Sequence, residues 1–279
     1  MKFYTGKCIL GLGFVLLAGS PVSAADSVKA LFLHAPKSPA RAGDSITLQV
    51  LRGSASDAVA TEISADQVRW LFVRSSGTQK NFEPAEIARA VGADGSIVAA
   101  TGPERVSVVG IDMKPVVVSV SGRELKSFLS THTALGLETG GTRGINANRT
   151  YRVRRIESAA TLVRVPGSDA APSAVAQGKT GQAVEIRPLA DPTSLRVGGD
   201  LPIRAYVGGS KRAGARVLAT NMIKGATREV ITDAVGTAAF TVTNAGPWRI
   251  EFHHAEPLAR DSGADWVIYS ATLTFEVPK

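Results

Sequence analysis

Residues Thr232–His254 constrain this chain more than any other stretch, because they alternate apolar and polar side chains twice over. Ala238, Phe240 and Val242 fall on one face of a strand, with Thr237, Thr241 and Thr243 on the other. Trp248, Ile250 and Phe252 then alternate with Arg249, Glu251 and His253. Successive side chains of a strand point to opposite faces, so a period of two buries one face and wets the other. Turn residues at Asp233…Gly236 and Asn244…Pro247 bound the runs, and together they read as a half-buried antiparallel hairpin.

The same pattern recurs around it. Strands are expected at Val184–Leu189, Leu201–Val207, Ala215–Met222, Arg228–Thr232 and Trp266–Val277. About seven short strands spaced by turns, with no long helix, indicate an immunoglobulin-like sandwich over residues 183–279. Upstream, strands are expected at Ala30–His34, Ile46–Leu51, Val68–Val73, Val106–Ile111 and Val116–Val120. Tyr151–Ile156 and Thr161–Val165 make one long or interrupted strand, while residues 75–104 show no clear period. One short helix stands out: Ser121 and Glu124 fit a capping box, and Leu125, Phe128 and Leu129 share one face. It should end near His132. Residues 166–182 lack large apolar side chains and read as a linker, because they bury too little surface to offset ordering. The chain is thus expected to be all-β, with an N-terminal β-rich domain (25–165), the linker and the sandwich.

The first 24 residues fit a cleaved signal peptide: Lys2 and Lys7, an apolar core from Cys8 to Ala18, and Val22-Ser-Ala24. The apolar run is too short to span a bilayer, so no transmembrane segment is expected in the mature chain. Cys8 is the one cysteine and leaves with the signal, so the exported protein has neither disulfide nor thiolate ligand. Losing Lys2 and Lys7 takes the formal net charge from +8 to +6. Six arginines against one acid, Glu157, concentrate the excess between Arg143 and Arg164. In an exported protein such a surface meets envelope polyanions and phosphate headgroups, which argues against a nucleic-acid role.

Chemistry is sparse. The histidines are His34, His132, His253 and His254, and imidazole suits nickel, cobalt, copper and zinc. His253 and His254 are adjacent on a strand and point apart. His254 reads either as a satisfied or rim histidine or, if an ion binds, as its first ligand, with Asp265 and Asp261 as oxygen donors and His34 joining if the two domains touch. Arg149, Arg152, Arg154 and Arg155 read either as a charged edge that discourages strand addition or as an anion or partner surface. Gly209…Gly214 lacks the Lys-Ser/Thr of a phosphate loop and reads as a hairpin turn. No Gly-x-Ser-x-Gly elbow and no nucleophile–base pairing is evident, so no enzyme is expected.

Four stretches (Gly181–Pro192, Gly208–Val217, Thr232–His254 and Asp265–Val277) resemble an exported bacterial domain-of-unknown-function family associated with nickel and cobalt uptake. Leu31-Phe-Leu33, the Arg123–Leu129 helix and Thr161–Val165 extend the likeness. The resemblance implies a periplasmic location and an N-terminal β-rich domain followed by an immunoglobulin- or transthyretin-like sandwich. It implies a non-catalytic binding or accessory module for nickel or cobalt, with an envelope or metal-transport protein as partner. Lys29 stands where the family carries a histidine before its first strand. The alternative is a structural or protein-interaction module of the envelope with no metal role.

Overall fold

A nine-stranded sheet forms the middle layer, and its strands come from both expected domains. The structure, a computed structural model, describes residues 29–279 except 37, 40, 55–56, 76–77, 137, 139 and 166–172. The expected signal peptide and the first part of the expected linker lie outside the described residues.

The first half of the chain contains β1 (Leu31–His34), β2 (Ser45–Arg52), β3 (Val59–Ala60), β4 (Val68–Ser75), β5 (Thr78–Asn81), α1 (Pro84–Ala90) and β6 (Ile97–Ala100). It continues with β7 (Val106–Met113), β8 (Val116–Ser121), α2 (Gly122–His132) and β9 (Thr150–Arg164). The second half contains β10 (Val184–Pro188), β11 (Asp200–Val207), β12 (Ser210–Lys211), β13 (Arg216–Asn221) and β14 (Thr227–Ile231). It closes with β15 (Thr237–Thr241), β16 (Gly246–Pro257) and β17 (Trp266–Val277).

The middle sheet runs β14-β13-β16-β17-β9-β7-β4-β5, with β8 also on β9. The β17–β9 pair is parallel, from Trp266 opposite Val153 to Thr274 opposite Thr161. That pair joins the two halves into one hydrogen-bonded sheet, a link that the expected boundary at 166–182 does not foresee. Residues 173–182, assigned to the linker on composition, are packed in place. Val175 and Ala176 enter the sandwich core, and Gln182 Nε2 donates to the carbonyl of Ile111 at 2.9 Å.

Both faces of the middle sheet are covered. On one side lies the four-stranded sheet of β10, β11, β12 and β15, which completes the sandwich. Its core takes Trp248, Ile250, Phe252, Phe240 and Leu201, along with Phe72, Val108 and Leu162 from the first half. On the other side lies the sheet of β1, β2, β3 and β6, whose Leu31, Leu33 and Leu48 meet Leu71, Val109 and Ala159. Beside it α2 sets Leu125, Phe128 and Leu129 against Tyr151, Val153 and Ile268. Strands with two buried faces read as near-continuous apolar runs, and β9 does so from Ser158 to Val163.

The Thr232–His254 stretch is not a hairpin. β15 pairs with β11 in the outer sheet, and β16 pairs with β13 and β17 in the middle one. The connection crosses the core, where the rings of Phe240 and Trp248 lie 5.9 Å apart. Each apolar face is as expected, but they face one another across two layers instead of lying side by side. Nor are Arg249, Glu251 and His253 wetted; all three are buried. The hairpin turn read at Gly209…Gly214 starts one residue earlier: Gly208 and Gly209, with φ of +56° and +79°, form a tight two-residue loop into β12, and Gly214 lies in a separate turn before β13.

The helix expected at Ser121 forms as read. Glu124 N donates to Ser121 Oγ at 3.2 Å, and Ser121 N donates to Glu124 Oε2 at 3.1 Å. Its far end is capped from β13, where Arg216 Nη1 donates to the carbonyls of Ser130 and Thr131 at 2.8 and 3.0 Å. A cation there also meets the negative end of the helix dipole.

Candidate functional site

The four expected metal donors do not share a site. His34 ends β1 and lines a cleft of about 610 Å³ with Glu276, Arg164, Thr193 and Met222. Burial lowers its pKa, and the charge of Glu276 pulls partly back. Asp265 stands just before the opposite end of β17, a 12-residue strand that spans roughly 35 Å at its usual rise. There Asp265 accepts from Arg149 Nη2 at 2.6 Å and from the backbone N of Arg152 at 2.7 Å. His254 pairs across to Tyr269, and its Nε2 is 3.7 Å from Glu256 Oε2. Burial and then the nearby Arg212 lower its pKa. Asp261 lies in a short 3-10 turn, Arg260–Ser262, on the surface. Among the described residues no three His, Cys, Asp or Glu side chains stand close enough to hold a metal ion. The expected set fails because the length of β17 separates His34 from Asp265, which the sequence could not show.

The charged residues of β16 belong instead to a buried polar seam between layers. Arg249 Nη1 donates to the Gly53 carbonyl at 2.7 Å, its guanidinium lies 4.5 Å from the Phe32 ring centre, and Nη2 pairs with Glu251. His253 Nδ1 is 2.9 Å from Ser270 Oγ, and its ring is edge-on to Phe128 and His132 of α2. Glu157 of β9 is gripped by Arg52 through two contacts of 2.8 and 3.0 Å and is ion-paired with Arg155. Burial alone would raise the Glu157 pKa; Arg155 and Arg52 outweigh it and hold the carboxyl at about 2. Both carboxylates of the seam, Glu251 and Glu157, therefore have a guanidinium partner, which suits a structural role.

The arginine run is not an edge. β9 is flanked by β17 on one side and by β7 and β8 on the other, and its second half, Ser158 to Val163, is buried on both faces. Arg155 is buried on Glu157 and is removed from the expected anion surface. Arg149 is taken by Asp265 and stacks over Tyr151. Arg154 Nη2 donates to the Ser262 carbonyl at 2.5 Å, and Arg152 is exposed.

The strand beside them is the feature that sequence reading passed over. β8 reads Val-Val-Val-Ser-Val-Ser, with Val116 47% and Val117 41% exposed. It pairs only with β9, and among the described residues nothing bonds the backbone of Val116–Val120 on its outer edge. The two ends of the same sheet are different. β14 carries Arg228 and Glu229, the latter bridged to Arg216 at 3.0 Å, and β5 carries Lys80, bridged to Glu86 at 2.9 Å. Charges and short strands are how natural sheets blunt their edges. The six residues of β8 carry neither charge nor proline, and that absence was the available sequence signal.

A family model described as "Domain of unknown function (DUF4198)" matches residues 145–256, from the approach to β9 through most of β16. No curated protein matches the chain. Among solved structures, "D0-D1 domain of Intimin" is 14% identical, with 89% of this chain and 97% of that one covered at a TM-score of 0.21. "Biofilm associated protein - BSP domain" is 10% identical at 0.19, with 88% of this chain covered. "Crystal structure of tetra-tandem repeat in extending region of large adhesion protein" is 14% identical at 0.20, also with 88% covered. The chain spans 30% of the second and 49% of the third. The fold described above rests on strand registers alone. No helix among the described residues is long and apolar enough to cross a membrane.

Proposed function

We propose that this chain is an exported, non-catalytic interaction module of the cell envelope that engages a protein partner along β8. One observation carries this reading: a six-residue uncharged strand keeps a free edge in a sheet whose two ends are both charged. An unpaired row of N–H and C=O groups is a template for another strand, and main-chain hydrogen bonds supply the affinity. Export rests on the Lys2, Lys7 and Val22-Ser-Ala24 pattern. Any part in nickel or cobalt uptake is then played through a protein partner, since His34 and Asp265 stand at opposite ends of β17 and no three donors gather among the described residues.

Amide hydrogen exchange tests the reading. In the purified mature chain the outward amides of Val116–Val120 should exchange fast, and a washed envelope fraction should slow them while β14 and β5 stay unchanged. Equal exchange with and without the fraction would sink it.

A further inference from the structure

The chemistry around β8 specifies its partner, an inference that rests on the interaction reading above. In an antiparallel pair, residues opposite one another share a face. Val117 is opposite Arg154 and Ser119 opposite Arg152, so the open face of this edge is backed by two arginines, Arg152 exposed and Arg154 half-buried on the Ser262 carbonyl. Val118 and Val120 turn to the other face, where they meet the α2 cluster of Leu125, Phe128 and Leu129. α2 follows β8 directly and exposes Arg123 and Lys126. Of the acids close by, Glu124 caps α2, Asp265 holds Arg149 and Glu157 is buried, while Asp261 lies exposed beside the Ser262 that Arg154 touches. Cations thus border both faces of an uncharged, valine-rich edge.

We propose that β8 accepts an extended segment of another protein in which apolar and acidic residues alternate. Its apolar residues would continue the Val116/Val118 row beside α2. Its carboxylates would lie on the Val117/Ser119 face, one strand beyond Arg152 and Arg154, within reach of long guanidinium side chains. A second copy of this chain is a poorer occupant. Pairing β8 with β8 would gather two copies of the basic groups Arg123, Lys126 and Arg152 around one uncharged seam with no added acid, and like charges oppose association.

The probe is a synthetic peptide of alternating valine and glutamate, compared with valine/glutamine and valine/lysine peptides of the same length. Affinity is read by calorimetry and the docking place by hydrogen exchange of the full mature chain. The valine/glutamate peptide should protect Val116–Val120 and bind about tenfold more tightly than the valine/glutamine one, an advantage that salt erodes. Arg152→Glu, at an exposed position, should remove most of that advantage without unfolding the sheet. Equal binding of the glutamate and glutamine peptides, both protecting β8, would overturn the acidic preference and leave strand addition standing. No protection of β8 by any peptide would overturn both. Concentration-dependent protection of β8 in the chain alone would assign the edge to a second copy and overturn the proposal.

Discussion

Nη1 of Arg249 lies 2.7 Å from the carbonyl oxygen of Gly53, so a side chain of β16 closes a backbone group 196 residues earlier. The same guanidinium holds Glu251 and covers Phe32. One buried arginine therefore ties the outer sheet of the first half to the sandwich of the second. Its charge is retained because each of these contacts replaces hydration that burial removed.

Arg249→Leu should cost about 3–5 kcal/mol, because it leaves Glu251 buried without its cation. Urea denaturation of the two proteins measures the loss. The Arg249→Leu/Glu251→Leu double variant should be more stable than the single one, since both charges then vanish together. A single variant within about 0.5 kcal/mol of the parent would show that the seam is open to water.

Two threonines of β17 should act as a clasp on β1. Thr272 Oγ1 donates to the Leu31 carbonyl at 2.8 Å, and Thr274 Oγ1 to the Leu33 carbonyl at 2.6 Å. Thr272→Val and Thr274→Val keep the shape and remove the donor, so each should cost about 1–2 kcal/mol. Chemical denaturation gives the number, and faster amide exchange confined to β1 and β2 would locate it. Exchange that quickens uniformly across the chain would argue against a local clasp.

Stability should fall in two steps as pH drops. Burial lowers the pKa of His34, His132 and His254, so the unfolded chain takes up protons first as pH falls below about 6.5. That stability is present above the unfolded value and is lost on acidification. A second loss should come between about 4.5 and 2, where an unfolded glutamate protonates but Glu157, held at about 2, resists. Glu251, lowered by His253 and Arg249 against the effect of burial, adds in the same sense. The urea midpoint as a function of pH reads both steps. His132→Gln with His254→Gln should flatten the upper one, and a midpoint that stays level from pH 7 to 5 would refute the histidine account.

Nickel, cobalt and zinc should bind this chain no better than they bind lone imidazoles, weaker than micromolar by calorimetry. His34→Ala and His254→Ala should then act independently, because His254 sits opposite Tyr269 and His34 beside Glu276, well apart along β17. Tight binding abolished by either single variant would restore a shared site.

Local patterns were legible in the sequence and pairing was not. The α2 cap, the buried face of Trp248 and the span of β17 follow from neighbours within a few residues. The helix α1 carried signals too, with Pro84 at its first turn and Glu83 N donating to Glu86 Oε2 at 2.9 Å. The separation of β15 from β16 depends on which distant strands claim their edges, and alternation is the same in either arrangement. Arg249 and Glu251 looked solvated because a charge satisfied by a partner leaves no mark on its own strand. The arginines of β9 misled for the converse reason: two are exposed or half-buried at one end, while the strand itself is central.

The position of β17 has a consequence for how the chain folds. Without that strand the middle sheet falls into two pieces, β14-β13-β16 and β9-β7-β4-β5, with no hydrogen-bonded strand between them. Both pieces precede β17 in sequence, so each must wait with an open side until β17 is made. Its insertion joins segments far apart in the chain, and such non-local closure is slow. In that interval the open edges of β9 and β16 would be the natural places for a chaperone to hold.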